Sequence, residues 1–362
     1  MIAVLHPYVL HYREDFFLGL NGKVPTDIYC YETAKKANSL NHKNGDVKVT
    51  GIPALKFKSL ILYNPSVFFN KKYDTLVLML TFTHLTTWLL LLTKPFHRKK
   101  IILWGHGISV KRFLKEEKKP NFLLGWMIAM ADGIWFYTEH ELNLWKSIYP
   151  NIKAVSLNNT ISDVDVITAS EKQLPKADKV KLKQQYGIHQ DRIFIYCARF
   201  NTVNRRIDLL EEFIKLSDKD RCGFIIIGDG KFKPDFKKYS NVYDFGALYD
   251  TTKKSELFSI ADIYFQPAWV GLSIVEAMAY GKPIFTFKRS AGLLQCVEYS
   301  NIKDHYNGLI FNDVQSMVDF SAAITDEEII LLGNNAKKYV VNNLKMDNMI
   351  QSAFNSYKEV AN

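Results

Sequence analysis

The sequence predicts an α/β protein built as two doubly wound domains with open parallel sheets. Three observations carry that reading. Short apolar runs alternate with segments of helical spacing, as parallel βαβ units require. The alternation stops over a polar stretch and then starts again. The chain has 362 residues, too long for one ordinary core. Two domains of ~150–180 residues account for that length.

The elements follow in order. Ile2 to Leu5 is the first apolar run and reads as a strand, and Thr75 to Leu80 as a second. Leu85 to Leu92 has helical spacing and stops at Pro95. Ile101 to Trp104 is a strand that ends at Gly105-His106-Gly107; Asn121 to Met130 reads as a helix and Gly133 to Tyr137 as a strand. Residues 163–186 are polar, hold Pro175 and end in a Lys-rich helical pattern. The expected division is therefore a first domain over 1–165, a linker over 166–186 and a second domain over 187–344. A last helix, about 345–362, is expected to pack back on the first domain.

In the second half the strands are Ile193 to Cys197, Gly223 to Ile227, Ile263 to Gln266 and Pro283 to Phe287. The helices between them are Leu209 to Leu216, Ser255 to Ile260 and Ser273 to Tyr280. Open sheets of this kind bind ligands outside the carboxyl ends of their strands. Two such domains facing across a cleft would place the site there.

Bulk properties narrow the function. Lys plus Arg outnumber Asp plus Glu by 47 to 37, a net charge of +10 that favours phosphates, an anionic membrane surface or nucleic acid. No zinc-finger spacing, RRM signature or helix-turn-helix pattern occurs, so nucleic acid is set aside. Cys30, Cys197, Cys222 and Cys296 form no C-x-x-C pair, and neither a disulfide framework nor a zinc site is expected. The opening Met-Ile-Ala-Val-Leu-His-Pro lacks the pattern of a signal peptide. The longest apolar run, Trp88 to Leu92, falls far short of the ~20 residues of a membrane span. A cytoplasmic protein is expected, with peripheral attachment to the inner face of the membrane left open. Two basic and aromatic segments raise that question. Lys56, Lys58, Lys71 and Lys72 flank Phe57, Leu60, Ile61, Leu62, Phe68 and Phe69, while Lys111, Arg112, Lys115, Lys118 and Lys119 precede Phe122. Ordinary core elements with solvated lysines would look the same.

Four segments of the second half carry chemistry. They are Cys197-Ala-Arg-Phe with Asn204-Arg-Arg-Ile-Asp, then Ile225-Ile-Ile-Gly-Asp-Gly, then Val242-Tyr-Asp-Phe-Gly, and finally Ala261-Asp-Ile-Tyr-Phe-Gln-Pro running into Val270-Gly-Leu-Ser-Ile-Val-Glu-Ala-Met-Ala-Tyr-Gly-Lys-Pro. The set resembles the nucleotide-sugar half of glycosyltransferase family four, retaining enzymes of the GT-B fold. The resemblance is good over roughly residues 180–315, loose in the first half, and most specific in the last segment. It implies two Rossmann-like domains, a nucleotide-sugar donor, a glycan or lipid-linked acceptor, no cofactor and no required metal.

The residues support that chemistry. Arg199 follows a strand, where a guanidinium can hold a diphosphate through paired hydrogen bonds. Arg205 stands where the family has a Lys, but Arg206 stands where it has Gly, so the register is open by one residue. Gly271 precedes the Ser273 helix, whose free N–H groups suit a phosphate. The resemblance assigns the amides of Leu272 and Ser273 to the diphosphate. It assigns Glu276 to the ribose hydroxyls, and a carboxylate with two acceptor oxygens suits a vicinal diol. Simple dipole complementarity near a helix N-terminus would also place a Glu there. Gly228-Asp-Gly230 resembles a turn beside the nucleotide base and is equally a generic strand-to-helix turn. In the first half, the resemblance places His106 near the donor sugar. His84 is a weaker candidate, better read as a cap or packing residue. Arg13, in His6-Pro-Tyr-Val-Leu-His-Tyr-Arg, is an acceptor-side candidate that could also face the donor phosphate.

One departure stands out. The family's Glu-seven-Glu motif has its first glutamate eight residues before the second, and here that position is Ala268. Ala268→Glu is expected to change donor preference without being required for turnover. Two other readings compete. A non-hydrolysing sugar-nucleotide epimerase would need acid/base residues that no motif supplies. A non-catalytic partner subunit would have lost the nucleotide residues that Arg199 and Glu276 represent.

Overall fold

The computed structural model describes all residues except Leu10, 33–48, 171–175 and Asn362. It divides into two compact units, Met1–Ser162 with Lys345–Asn362, and Asp163–Leu344.

The first unit is built on a parallel sheet. Its strands are β1 (Ile2–His6), β2 (Thr26–Cys30), β3 (Val49–Gly51), β6 (Thr75–Met79), β7 (Lys100–Gly105), β8 (Gly133–Phe136) and β9 (Ala154–Ser156), in the order β3-β2-β1-β6-β7-β8-β9. The chain winds outward from β1 to β3 and restarts at β6 on the other side of β1, so the strand order reverses between β1 and β6. Strands β1 and β8 are wholly buried, which is why they read as continuous apolar runs and not as alternating ones. The helices are α1 (Glu14–Lys23), α2 (Leu85–Leu92), α3 (Phe122–Met130) and α4 (Glu139–Ile148), the last started by a Thr138–Glu141 capping box. An antiparallel hairpin, β4 (Ala54–Phe57) and β5 (Leu60–Tyr63), packs on α2.

The C-terminal helix, Met346–Ala361, also belongs to this unit and packs on α1, β7, β8 and β9. Small residues make room for it. A Cβ on Gly19 would lie 2.3 Å from Ile350 and one on Gly133 would lie 2.7 Å from Val360.

The second unit repeats the plan. Strands β10 (Arg192–Cys197), β11 (Cys222–Ile227), β12 (Val242–Asp244), β13 (Ile263–Phe265), β14 (Ile284–Phe287) and β15 (Gly308–Phe311) are all parallel, in the order β12-β11-β10-β13-β14-β15. The order reverses between β10 and β13. Around the sheet lie α5 (Val164–Ser170), α6 (Lys176–Gln185), α7 (Ile207–Leu216), α8 (Thr251–Ile260), α9 (Ser273–Ala279), α10 (Val314–Ala323) and α11 (Asp326–Asn343). Phe194, Phe213, Phe224, Phe265 and Phe285 form the centre of one core cluster.

The stretch read from sequence as a linker is largely helical and packed. Val164 and Ile167 of α5 are buried and α5 lies on α9 and α11, while α6 lies on α8 and its Lys179 pairs with Asp262. Its polar composition reflects helices covered on one side only. Among the described residues no helix is long and apolar enough to cross a membrane, and the four cysteines are free.

Two buried histidines of the first unit make its stability pH-dependent. His6 is held down at about 4 by burial and then by the charge of Arg13. His84 is held at about 4 by burial and then by Lys56. A base whose folded pKa lies below its ordinary value binds fewer protons folded than unfolded, so its contribution is intact above pH 6.5 and is lost as pH falls toward 4. Between pH 7 and 5 each histidine should remove roughly 2 kcal/mol from the unfolding free energy. Urea titrations at the two pH values check this. A first unit equally stable at both would contradict it.

Candidate active site

In the second unit the chemistry gathers at the carboxyl ends of β10 and β13, where the strand order reverses. Ligands of open parallel sheets bind outside such a point. Arg199 stands two residues after β10 and is exposed. Its loop is braced by the loop after β11. The Phe200 amide donates to the Asp229 carbonyl at 2.9 Å, and the Phe232 amide to the Phe200 carbonyl at 2.9 Å. Gly228 and Gly230 allow this contact. Their φ angles are 142° and 146°, and a Cβ would lie 2.1 Å from the Ala198 carbonyl oxygen or 2.6 Å from the Phe200 carbonyl. These glycines therefore have a structural task, which is to hold the Arg199 loop.

The two arginines that follow differ in their surroundings. Arg206 adopts a left-handed conformation, φ 51°, and its guanidinium grips the Asp208 carboxylate at 2.6–3.0 Å. Arg205 has no such partner. Its Nε and Nη1 are buried and donate to no acceptor among the described residues. Its charge is felt by Tyr196, Cys197 and Tyr264. Of the pair, Arg205 is the one without a carboxylate partner among the described residues.

The loop from β13 to α9 is fixed from below by two buried glutamines. Gln266 Nε2 donates to the carbonyls of Ala268 at 3.1 Å and Trp269 at 2.8 Å, and Oε1 accepts from Tyr264 Oη at 2.9 Å and Ser273 Oγ at 2.8 Å. All four of its hydrogen-bonding positions are thereby used. Gln295 Oε1 accepts the Val270 amide at 3.0 Å, and its Nε2 donates to Pro267 and Phe287 carbonyls. The Trp269 amide donates to Leu294 at 2.8 Å, and Trp269 is held at φ 54°, a strained value for an aromatic residue. At the end of this clamped loop the amides of Gly271, Leu272 and Ser273 have no acceptor among the described residues, and nothing within 4 Å crowds a Cβ at Gly271.

Glu276, on the first turn of α9, is half-buried and pairs with Lys254 of α8, Oε1 to Nζ at 2.5 Å. Burial, then the negative charge of Glu276, pushes the neighbouring Cys197 thiol up to about 12. Lys254, Gln266 and Gln295 were not found from the sequence. Lys254 and Gln295 act across separations at which no local pattern operates, while Gln266 acts on its own loop within seven positions.

In the first unit His106 follows β7 and is exposed. The flanking glycines are tight. A Cβ on Gly105 would meet Leu80 at 2.9 Å, and one on Gly107 would meet Phe136 and Trp145 at 2.6 Å, while Trp145 Nε1 donates to the Gly107 carbonyl at 2.9 Å. One face of the His106 ring stacks on Tyr137, centroids 4.3 Å apart. Desolvation and the Arg13 charge both press the ring below the ordinary histidine range. Its contact with water leaves the charge as the cause the geometry supports, and the ring is neutral at pH 7. Arg13 is buried beside it. His84 is buried against Tyr31 and Tyr63, away from solvent.

Residues 178–343 match the sequence family described as glycosyl transferases group 1. The chain carries a glycosyltransferase group 1 domain on a GT-B fold. Solved structures share the fold over almost the whole chain. HepE from Anabaena in complex with UDP is 14% identical over 99% of each chain, with a TM-score of 0.67. A TarM variant from S. aureus, solved with Fondaparinux, alpha-GlcNAc-glycerol and UDP, is 12% identical over 98% of this chain and 99% of its own, with a TM-score of 0.62. The lipopolysaccharide outer core galactosyltransferase WaaB is 14% identical over 99% of both chains, with a TM-score of 0.64. No curated protein matches the sequence.

The structure revises one expectation about this glycosyltransferase. Ala268 is fully buried within the core cluster of the second unit. A glutamate there would have to bury a carboxylate or unseat the loop, so Ala268→Glu should cost about 3 kcal/mol or more of stability instead of only changing donor choice. Gly228→Ala, with its Cβ against the Ala198 carbonyl, should cost roughly 2–4 kcal/mol. Denaturant titrations measure both. Wild-type stability in either variant would show that the loop is less tightly held than its contacts imply.

Proposed function

We propose that the glycosyltransferase moves a sugar from a UDP-linked donor to a hydroxyl of a glycan or lipid-linked acceptor. The carrying observation is the half-buried Arg205 guanidinium without an acidic partner among the described residues, at the same sheet end as three free backbone amides and a half-buried carboxylate. Arg205, Arg199 and the amides of Gly271, Leu272 and Ser273 would hold the diphosphate, and Glu276 the ribose hydroxyls. UDP is favoured because HepE and the TarM variant were solved with it.

In this reading the acceptor oxygen bonds to the anomeric carbon as the bond to the β-phosphate oxygen breaks. The acceptor proton passes to the departing phosphate, and configuration is retained. Arginine and amide charge stabilises the leaving diphosphate in the role a divalent metal would otherwise fill. Surface polysaccharide or lipopolysaccharide assembly is the favoured setting, since WaaB acts there.

UDP at ~100 times its dissociation constant should stabilise the protein by about 2.7 kcal/mol. Arg205→Met, Arg199→Ala and Glu276→Ala should each reduce that gain while the unliganded proteins stay folded. Thermal shift with UDP and with GDP reads this. An undiminished UDP effect in all three variants would place the nucleotide elsewhere.

Exposed apolar side chains support peripheral membrane attachment. Leu55 and Phe57 of the hairpin, Leu85, Leu89 and Leu92 of α2, and Phe122 and Trp126 of α3 are exposed, Phe57 by 71%, Phe122 by 66% and Trp126 by 60%. Phe96, just beyond α2, is 87% exposed. The hairpin and α3 both pack on α2, so these side chains belong to neighbouring elements. Lys56, Lys58, Lys111, Lys115, Lys118 and Lys119 are exposed on the same elements or in the segment leading into α3. By contrast Phe68, which the sequence grouped with this patch, is fully buried. Exposed apolar side chains grouped on neighbouring elements call for a partner. Its lysines fit an anionic bilayer, at about 1 kcal/mol per charge. The full chain should float with phosphatidylglycerol vesicles at low salt and less at high salt, and Phe96→Ser with Trp126→Ser should weaken flotation at both. Failure to float at low salt would remove the proposal.

A further inference from the structure

The first unit contains a buried cation that the donor site does not explain. Arg13 is only 3% exposed. Its guanidinium carbon lies 5.6 Å from the Tyr12 ring, 5.3 Å from Trp104 and 5.4 Å from Tyr137. Nη1 donates to the Met349 sulfur at 3.4 Å, a contact that the C-terminal helix brings from 336 positions away in the chain. Among the described residues no Asp or Glu pairs with it. Two histidines stand near enough for its charge to act on them, His6 and His106. Both are disfavoured as cations there, so Arg13 carries the positive charge of this spot.

A guanidinium removed from water without a counter-ion is costly. Aromatic faces return a part of that, about 2 kcal/mol for a desolvated contact. Methionine sulfur is a weak acceptor and supplies little more. A structural arginine would be expected to reach a carboxylate, which this one does not. The aromatic sides also fix the plane of the guanidinium, which suits bidentate recognition of a planar or tetrahedral oxyanion.

We infer that Arg13 is the floor of a second anion site, in the first unit, that takes a carboxylate or phosphate carried by the acceptor. The inference rests on the donor reading above, in which the second unit's own cations and amides serve the nucleotide diphosphate. It adds a substrate class: acceptors with an anionic group close to the hydroxyl that receives the sugar. Tyr137 links the site to the exposed ring of His106, since Arg13 and His106 both lie against it.

The test uses the full chain labelled with nitrogen-15 at histidine and saturated with UDP. Ring signals of His6 and His106 are followed through pH titrations with added D-glucuronate, inorganic phosphate or neutral D-glucose. A bound anion screens Arg13, so glucuronate or phosphate should raise the midpoint of His106, and glucose should not. Whichever anion acts at lower concentration identifies the acceptor group as carboxylate or phosphate. Arg13→Gln should abolish the anion response, and Arg13→Lys, which keeps the charge, should retain part of it. If Arg13→Gln does not fold, the wild-type and Arg13→Lys titrations still decide. In transfer assays Arg13→Gln should raise KM about tenfold or more for an anionic acceptor, the loss of one charge-assisted contact, and leave a neutral one unchanged. A His106 midpoint that moves on adding UDP alone would assign Arg13 to the donor phosphates and overturn the proposal. No response to either anion would do the same. Failure of UDP to bind at all would instead count against the donor reading, because the anion titration can be run without it.

Discussion

A guanidinium buried without a carboxylate is the constraint on which this structure turns. Arg13 meets it in the first unit, and half-buried Arg205, whose Nε and Nη1 are out of water, meets it in part in the second. Proteins bury cations against acidic partners because desolvation of the lone charge costs several kcal/mol. The chain holds enough acidic residues to have paired them, and it does pair Arg206 with Asp208 and Lys254 with Glu276. Under the proposed function, these charges are where a ligand's anion would bind. Much of the surrounding architecture keeps them in place. Gly228 and Gly230 let two loops pack at backbone distance, and the C-terminal helix closes over Arg13 from the far end of the chain.

Much of the fold was legible in the sequence because parallel sheets bury both faces. The runs at Ile2, Thr75, Ile101, Ile193 and Gly223 are apolar without interruption and could be placed to within a residue or two. Shorter edge strands such as β3 and β12 carry three residues each, too few for periodicity to mark. The β4–β5 hairpin went unseen for another reason. Its Leu and Phe side chains point to solvent, so apolar content misleads about burial there. The helices over 164–170 and 176–185 read as a linker because most of their surface is polar.

The candidate site was legible where its chemistry is local. Gly271, Leu272, Ser273 and Glu276 lie on one loop and one helical turn, and Arg199 and Arg205 follow one strand. The sequence alone could not decide between Arg205 and Arg206, and the Asp208 grip on Arg206 separates them. What the sequence could not show is long-range. Lys254 meets Glu276 from another helix, and Gln295 reaches the Val270 amide from a segment beyond β14. The loop holding Ala268 and Trp269 is the clearest departure from the resembled family. Ala268 turns into the core, and the following Trp269 accepts a left-handed backbone that its side chain disfavours. Gln266 and Gln295 over-determine that conformation, as strained functional loops require.

The most direct measurement is a crystal structure of the protein with UDP. The account predicts the diphosphate against Arg205 and the amides of Gly271 to Ser273, with the ribose hydroxyls on Glu276 and the Lys254 contact lengthened or shared. UDP bound away from Arg205, with the Lys254–Glu276 pair unchanged, would contradict it.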